Sequence, residues 1–174
     1  MKNFRFFKLS TFFTTATFLL VCMTPSFMKG QVQPQTPTFV SAGEILTDNS
    51  DVAQLAFDVQ RTIFINETNR YFSGDANFLV VECVPSQLAQ LYTEDHIFSS
   101  VQLIKIKIND ETQPFSLNLD LLQSFPELKY VWLTYLSDIC NDGTDECLLE
   151  IVQNSISSQN EDMTIIYSLS ISQK

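Results

Sequence analysis

The chain has 174 residues, with ten basic and twenty acidic side chains and a formal net charge of −10. Such a charge keeps a protein soluble and disfavours nucleic acid or an anionic membrane as a partner. The acids are scattered rather than grouped in blocks, which is typical of a solvated acidic surface. The length suits one domain with a hydrophobic core of its own.

The first thirty residues have the pattern of a secretory signal peptide. Three basic residues precede an apolar run from Leu9 to Met23, and a polar stretch from Pro25 to Gly30 follows. The apolar run is shorter than the roughly 20 apolar residues that a membrane span needs. The pattern therefore predicts export to the periplasm, the cell surface or the extracellular space, with no transmembrane helix in the mature chain.

Cleavage after Gly30 is the expected processing step, and lipid attachment at Cys22 is the less favoured alternative. A lipoprotein signal requires a small residue immediately before its cysteine, whereas Val21 occupies that position. Removal of residues 1–30 takes away four basic residues and no acids. The mature chain would then carry six basic and twenty acidic residues, a net charge of −14.

Three cysteines follow the predicted cleavage site. An odd number in an exported protein implies one pair and one free thiol, or a bond between chains. Cys140 and Cys147 enclose a turn-rich hexapeptide between two apolar runs, which predicts a disulfide across that loop. So short a closed loop contributes about 2–3 kcal/mol at best to stability.

Residues 31–47 are expected to be an extended or disordered linker, since they begin with Gln, Pro and Thr and lack an apolar period. Residues 48–174 are expected to form a single α/β domain. The further predicted elements, in chain order, are a helix at 51–60, an extended segment at 62–66, turns at 66–69 and 73–75, a strand at 77–84, short helices at 86–92 and 117–125, strands at 98–108 and 129–136, and a C-terminal β-hairpin with strands at 148–152 and 163–171.

The segment that begins at Phe98 is echoed, with a shift of 27 residues, by the segment that begins at Phe125. A shift of 23 residues extends the relation backwards to the strand at 77–84. The matched pairs are Ile104 with Val131, Ile106 with Leu133, Ile108 with Tyr135, Val81 with Ile104, and Cys83 with Ile106. The echo predicts one supersecondary unit that is used at least twice.

Strand, short helix and strand recur from residue 78 to residue 136, and strands joined by a helical crossover run parallel. With its alternating apolar positions and a terminal Asn109, VQLIKIKIN resembles a unit of the leucine-rich repeat. The resemblance covers about a third of the chain and implies parallel strands joined by short helices. An ordinary βαβ sheet that is covered on one side by helices is the alternative.

Residues matched between parallel neighbours share a face of the sheet. The predicted core face carries Val81, Cys83, Ile104, Ile106, Ile108, Val131, Leu133 and Tyr135, so Cys83 is expected to be a buried, free and inert thiol. The opposite face carries Glu82, Lys105, Lys107, Tyr130, Trp132 and Thr134. A Glu–Lys pair beside the only tryptophan predicts a binding surface there. The alternative is that the C-terminal hairpin simply covers Trp132.

Catalytic patterns are weak in this chain. His96 is the only histidine, which excludes sites that need two imidazoles, and its acidic neighbours indicate a loop rather than an HExxH helix. GxSxG does not occur. Carboxylates for glycoside hydrolysis are abundant, but no pair of them stands out. No catalytic residue is therefore assigned.

The loop from Asp138 to Glu146 has oxygen ligands at a close spacing that suits calcium. Aligned with an EF-hand loop, however, its third position is Cys140 and its twelfth is Leu149, so the match fails twice. Asn-Asp-Gly is also ordinary turn chemistry. No metal and no cofactor are assigned.

The sequence thus predicts an exported, acidic α/β protein with a non-catalytic binding or structural role. The expected partner is another protein or a component of the cell envelope, and the oligomeric state is left open. The alternative is a small secreted hydrolase that uses carboxylates.

Overall fold

A computed structural model describes residues 37–48, 50–109, 115–137, 139–140, 145–158 and 162–170. The predicted signal peptide, Cys22 and the first residues of the predicted linker, 31–36, lie outside the described residues. So do residues 138 and 141–144 of the loop considered for calcium.

The described residues form nine β-strands, three α-helices and three 3₁₀ segments. The strands are β1 (Thr38–Ser41), β2 (Thr62–Ile65), β3 (Arg70–Ser73), β4 (Val80–Cys83), β5 (Leu103–Ile108), β6 (Leu117–Asn118), β7 (Tyr130–Tyr135), β8 (Ile156–Ser157) and β9 (Thr164–Leu169). The helices are α1 (Ala42–Asp48), α2 (Ser50–Phe57) and α3 (Asp145–Ser155), and the 3₁₀ segments are Pro85–Gln90, His96–Phe98 and Leu119–Leu121. No described helix is long and apolar enough to cross a membrane.

Seven strands form one mixed sheet in the order β1-β9-β7-β5-β4-β2-β3. All neighbouring pairs in it are parallel except β2 and β3, which form an antiparallel hairpin at one edge. The strands β6 and β8 form a separate short parallel pair. The domain is therefore an α/β fold with a mostly parallel sheet.

The repeat seen in the sequence sets the register of the central strands. Ile104 lies opposite Val131, which confirms the shift of 27 residues, and Val81 lies opposite Ile104, which confirms the shift of 23. The same relation holds outside the strands, where the rings of Phe98 and Phe125 stack with centroids 4.5 Å apart. Equivalent positions of the two units thus meet in the folded domain.

The face predicted to lie in the core does so. All eight of its assigned residues are buried, together with one apolar side chain from each 3₁₀ segment and two from α3: Leu88, Phe98, Leu119, Leu148 and Val152. The opposite face is covered in part by α1 and α2. The residues in this second cluster are Ala42, Ile45, Val52, Ala56, Val80, Leu103, Trp132 and Ile166.

The folded part of the chain begins earlier than the sequence predicts. Instead of a linker up to residue 47, β1 pairs in parallel with β9 and α1 follows it directly. Phe39 packs against the main core, and Val40 packs against the second cluster under α1 and α2, so both faces of β1 are apolar. Four residues are too few to show a period, so β1 has no signal in the apolar pattern of the sequence.

The predicted C-terminal hairpin is wrong. Residues 148–152 lie in α3, and β9 pairs in parallel with β1 and β7. Leu148 and Val152, four residues apart, are buried on one side of the helix. A five-residue apolar run fits a strand and a helix equally well, whereas Asp145 and Glu146 favour a helix because acids stabilise its first turn.

Candidate binding face

A row of paired residues crosses the whole sheet on the face opposite the main core. Across this row the exposed fraction falls from 56% at Tyr71 and 40% at Phe64 to 6% at Trp132 and 0% at Ile166. The row runs Tyr71, Phe64, Glu82, Lys105, Trp132, Ile166 and Val40. The helices α1 and α2 cover its second half. We call Phe64, Tyr71, Glu82 and Lys107 the open face.

The β2–β3 hairpin holds the two aromatic side chains of the open face. Phe64 alternates with the buried Ile63 and Ile65, and it lies directly opposite Tyr71. Asn66 closes the turn: its side-chain oxygen accepts hydrogen bonds from two backbone N–H groups of the turn, and its own N–H donates to the carbonyl of Asn69 at 3.0 Å. The Cβ atoms of residues directly opposite each other on an antiparallel pair are about 5 Å apart, so Phe64 and Tyr71 are neighbours on the same face.

Beside the aromatic pair lies a small group of charges. The Glu82 carboxylate forms an ion pair with Lys107, whose side chain is 45% exposed. Lys105 instead donates from Nζ to the carbonyl of Ala56 at 3.0 Å, at the end of α2. Burial lowers the pKa of Lys105, and the charge of Lys107 acts in the same direction while that of Glu82 opposes it. Lys105 is thus tied to the scaffold, and Lys107 lies on the surface.

Trp132 is not part of an accessible surface. Its indole Nε1 donates to Ser168 Oγ at 3.0 Å, and the ring of Phe57 packs edge-on with centroids 5.7 Å apart. The tryptophan is therefore covered as ordinary structure, although α2 rather than a C-terminal hairpin covers it. Phe57 itself is 67% exposed, so on that side a single, largely exposed ring covers the indole.

The six residues that the sequence assigned to a binding surface separate into groups. Glu82, Lys105, Lys107 and Thr134 share one region, with Thr134 Oγ1 at 3.5 Å from Ser168 Oγ. Tyr130 lies at the start of β7 instead. There it lines a cavity of about 300 Å³ whose other lining residues are Asp51, Gln54, Leu55, Gln60, Leu79, Gln102 and Lys129.

Sequence reasoning missed Phe64 and Tyr71. The signal that would have found Phe64 is the alternation in Thr62–Ile65, where one aromatic side chain points away from two isoleucines. Tyr71 had no such signal, because in Arg70–Ser73 two aromatic residues are adjacent and no alternation separates an inward from an outward side chain.

The cysteines are arranged as the sequence predicts. Cys140 and Cys147 form a disulfide with their Cα atoms 5.9 Å apart. Cys83 is free and buried on the core face. Burial, with a smaller contribution from the negative charge of Glu82, raises the pKa of the Cys83 thiol to about 12. A protonated, buried thiol is a poor nucleophile.

A second group of charges fixes the hairpin to the rest of the domain. The Arg70 guanidinium forms an ion pair with Asp95 and lies 5.0 Å above the centre of the Phe98 ring. Partial burial works against the charged form of Asp95. Even so, the hydrogen bond from the Ile97 N–H at 3.1 Å and the charge of Arg70 lower its pKa. The neighbouring His96 is exposed.

Among the described residues, no three or more His, Cys, Asp or Glu side chains are placed to hold a metal ion. Comparison of the chain with models of protein families, with curated proteins and with solved structures finds no match.

Proposed function

We propose that the protein is a non-catalytic binding protein whose partner docks on the open face. The observation that carries the proposal is the placement of Phe64 and Tyr71: directly opposite each other, 40% and 56% exposed, and beside the Glu82–Lys107 ion pair. Aromatic side chains are enriched at the energetic centres of protein interfaces, and charged pairs are common at their rims.

The energetics of such a contact are favourable. Complete burial of a fully exposed aromatic side chain contributes about 1.5–3 kcal/mol. Because Phe64 is 40% and Tyr71 is 56% exposed, both rings together would contribute about as much as one fully exposed ring. The rings are already held by the closed turn at Asn66 and by the Arg70–Asp95 pair. Little ordering would therefore be needed when a partner binds, which lowers the entropic cost of association.

We further propose that the protein is exported and works in the periplasm, at the cell surface or outside the cell, with another protein or an envelope component as its partner. The basic, apolar and polar segments of the first thirty residues support export. So does the disulfide between Cys140 and Cys147, since disulfides persist in oxidising compartments.

A leucine-rich-repeat-like relation of the units in 78–136 is also part of this proposal. It is supported by β4, β5 and β7, which lie side by side in parallel and are joined through 3₁₀ segments rather than long helices. In repeat proteins of that kind, the row of parallel strands forms an extended binding surface.

Partner capture with matched variants tests the proposal. The immobilised protein is incubated with extracts and medium of the source organism, as the wild type, as the double variant Phe64→Thr plus Tyr71→Thr, and as the control Leu121→Thr. Leu121 is 47% exposed and lies in a 3₁₀ segment, away from this row. We expect a component that the wild type and the control retain and the double variant loses. Equal recovery by all three proteins would contradict the proposal.

A further inference from the structure

The outer edge of β3 offers backbone hydrogen-bonding groups to a further strand. β3 is the last strand of the sheet, and the pair of Asn66 with Asn69 that closes its hairpin is hydrogen-bonded. In an antiparallel ladder, hydrogen-bonded and non-hydrogen-bonded pairs alternate. The pair of Phe64 with Tyr71 is then hydrogen-bonded, and the N–H and C=O groups of Arg70 and Phe72 point outwards.

Both faces of this edge carry aromatic side chains. Tyr71 lies on the open face, and Phe72, which is 50% exposed, lies on the other. Next to Phe72 is a shallow concavity of about 300 Å³ that Phe72, Gly74, Asp75, Phe78 and Ile97 line. The side chains of an added strand alternate between the two faces, so one set would meet Tyr71 and the other would enter this concavity.

Acidic side chains flank the edge at both ends. Glu67 lies in the turn before β3 and Asp75 follows the strand, and both are exposed. Arg70 is the only basic residue of the strand, and its charge is already paired with Asp95. A strand placed here would therefore be attracted if it carried basic residues on either side of its apolar ones.

The same charges disfavour a second copy of this chain. Symmetric antiparallel pairing that matches the outward groups of Arg70 and Phe72 would bring Glu67 of each copy towards Asp75 of the other. Two pairs of like charges would then meet at the ends of the joint strand pair, and like charges placed opposite each other are destabilising.

We propose that β3 receives an extended peptide segment with alternating apolar residues and flanking Lys or Arg residues, which joins the sheet as an eighth strand. This inference rests on the proposed function, since Tyr71 belongs to both sites, and it specifies the partner and its mode of binding. Main-chain hydrogen bonds to Arg70 and Phe72 would supply affinity, and Glu67 and Asp75 would supply the preference for basic sequences.

Selection from a phage-displayed library of random dodecapeptides on the immobilised full chain is the experiment. Bound peptides should be enriched in Lys and Arg on both sides of alternating apolar residues. Phe72→Pro removes one outward N–H without touching the bonds between β2 and β3, and proline is tolerated on edge strands. We expect it to bind the selected peptides about tenfold more weakly than Phe72→Val does, the cost of one hydrogen bond, because both substitutions remove the aromatic ring and only proline removes the N–H.

A charge variant keeps the proposal testable if Phe72→Pro unfolds the hairpin. Glu67→Gln plus Asp75→Asn should weaken the selected peptides and reduce the dependence of their affinity on salt. Selected peptides that are not basic, or that bind all variants equally, would overturn the inference. So would a dimer in sedimentation analysis that Phe72→Pro dissolves, because the edge would then serve a second copy.

Failure of this inference can be told apart from failure of the proposed function. A native partner that is lost with Phe64→Thr but kept by Phe72→Pro leaves the open face as the site and removes the strand-addition mode. A partner that both variants keep contradicts both proposals.

Discussion

Lys105 donates a hydrogen bond from Nζ to the carbonyl oxygen of Ala56 at 3.0 Å, and this contact joins the centre of the sheet to the last turn of α2. The carbonyl end of a helix attracts cations, so the contact is favourable at this position. Lys105 also stands next to Trp132 in the row that crosses the sheet. The residue therefore marks the boundary between the covered half of this face and the open face.

We expect Lys105→Glu to lower the free energy of unfolding by about 2–3 kcal/mol, because it places a carboxylate beside Glu82 and against the carbonyl end of α2. Lys129→Glu makes the same change of charge at an exposed lysine and should cost less than about 0.5 kcal/mol. Urea unfolding at neutral pH measures both. Equal losses in the two variants would show that the contact with Ala56 is not stabilising.

Phe57→Ala should expose Trp132 to solvent, because the Phe57 ring packs edge-on against the indole. Since Trp132 is the only tryptophan, its fluorescence reports on this site alone. We expect emission at longer wavelength and stronger quenching by acrylamide than in the wild type. Phe72→Ala, which removes another exposed aromatic ring, should leave both unchanged. An unaltered spectrum in Phe57→Ala would mean that another part of the chain covers the indole.

Asp95→Asn keeps the side-chain oxygen that accepts from the Ile97 N–H but removes the charge that pairs with Arg70. The pKa of Asp95 is lower in the folded protein than its usual value of 3.8. The carboxylate therefore stabilises the fold above that pH, and the stabilisation is lost as the pH falls through the folded-state pKa. We expect the variant to be less stable than the wild type by about 1 kcal/mol at pH 6, and the difference to vanish in strong acid. A stability difference between the wild type and Asp95→Asn that does not change with pH would contradict a stabilising ion pair between Asp95 and Arg70.

Cys83 should behave as a protonated thiol in the folded protein. Its pKa rises from 9.0 to about 12 on folding, so the stability that comes from this difference is present below pH 9 and is lost as the pH rises towards 12. Relative to Cys83→Ala, the wild type should lose about 1.4 kcal/mol of unfolding free energy between pH 8 and pH 10. Prompt reaction of Cys83 with a thiol reagent in the native, non-reduced protein would show instead that the side chain is accessible.

The central strands could be predicted from the sequence because the same apolar pattern occurs in the segments that begin at Phe98 and at Phe125. Alternating apolar residues around Ile104 and Val131 define which side chains share a face, and two parallel copies of one unit can be aligned without knowledge of the fold. The position of Cys83 followed from the same alignment. The stacked rings of Phe98 and Phe125 show that the alignment extends into the connections.

The parts that could not be predicted depend on contacts between distant segments. The strand β1 is four residues long and gains its structure from β9, more than 120 residues away in the chain. The helix α3 contains an apolar run whose length fits either kind of element. The open face depends on how far α2 reaches over the sheet, since Phe57 covers Trp132 and leaves Phe64 exposed. Such placement has no signature in a single sequence.

Site-specific photo-crosslinking tests the central claim most directly. Purified protein with p-benzoylphenylalanine at position 71 is illuminated in extracts and medium of the source organism, beside the same protein with the photoreactive residue at position 121. We predict a discrete crosslinked product from position 71 that competition with unlabelled wild type removes and competition with the Phe64→Thr plus Tyr71→Thr variant does not. No product at position 71, or the same products from both positions, would contradict the account.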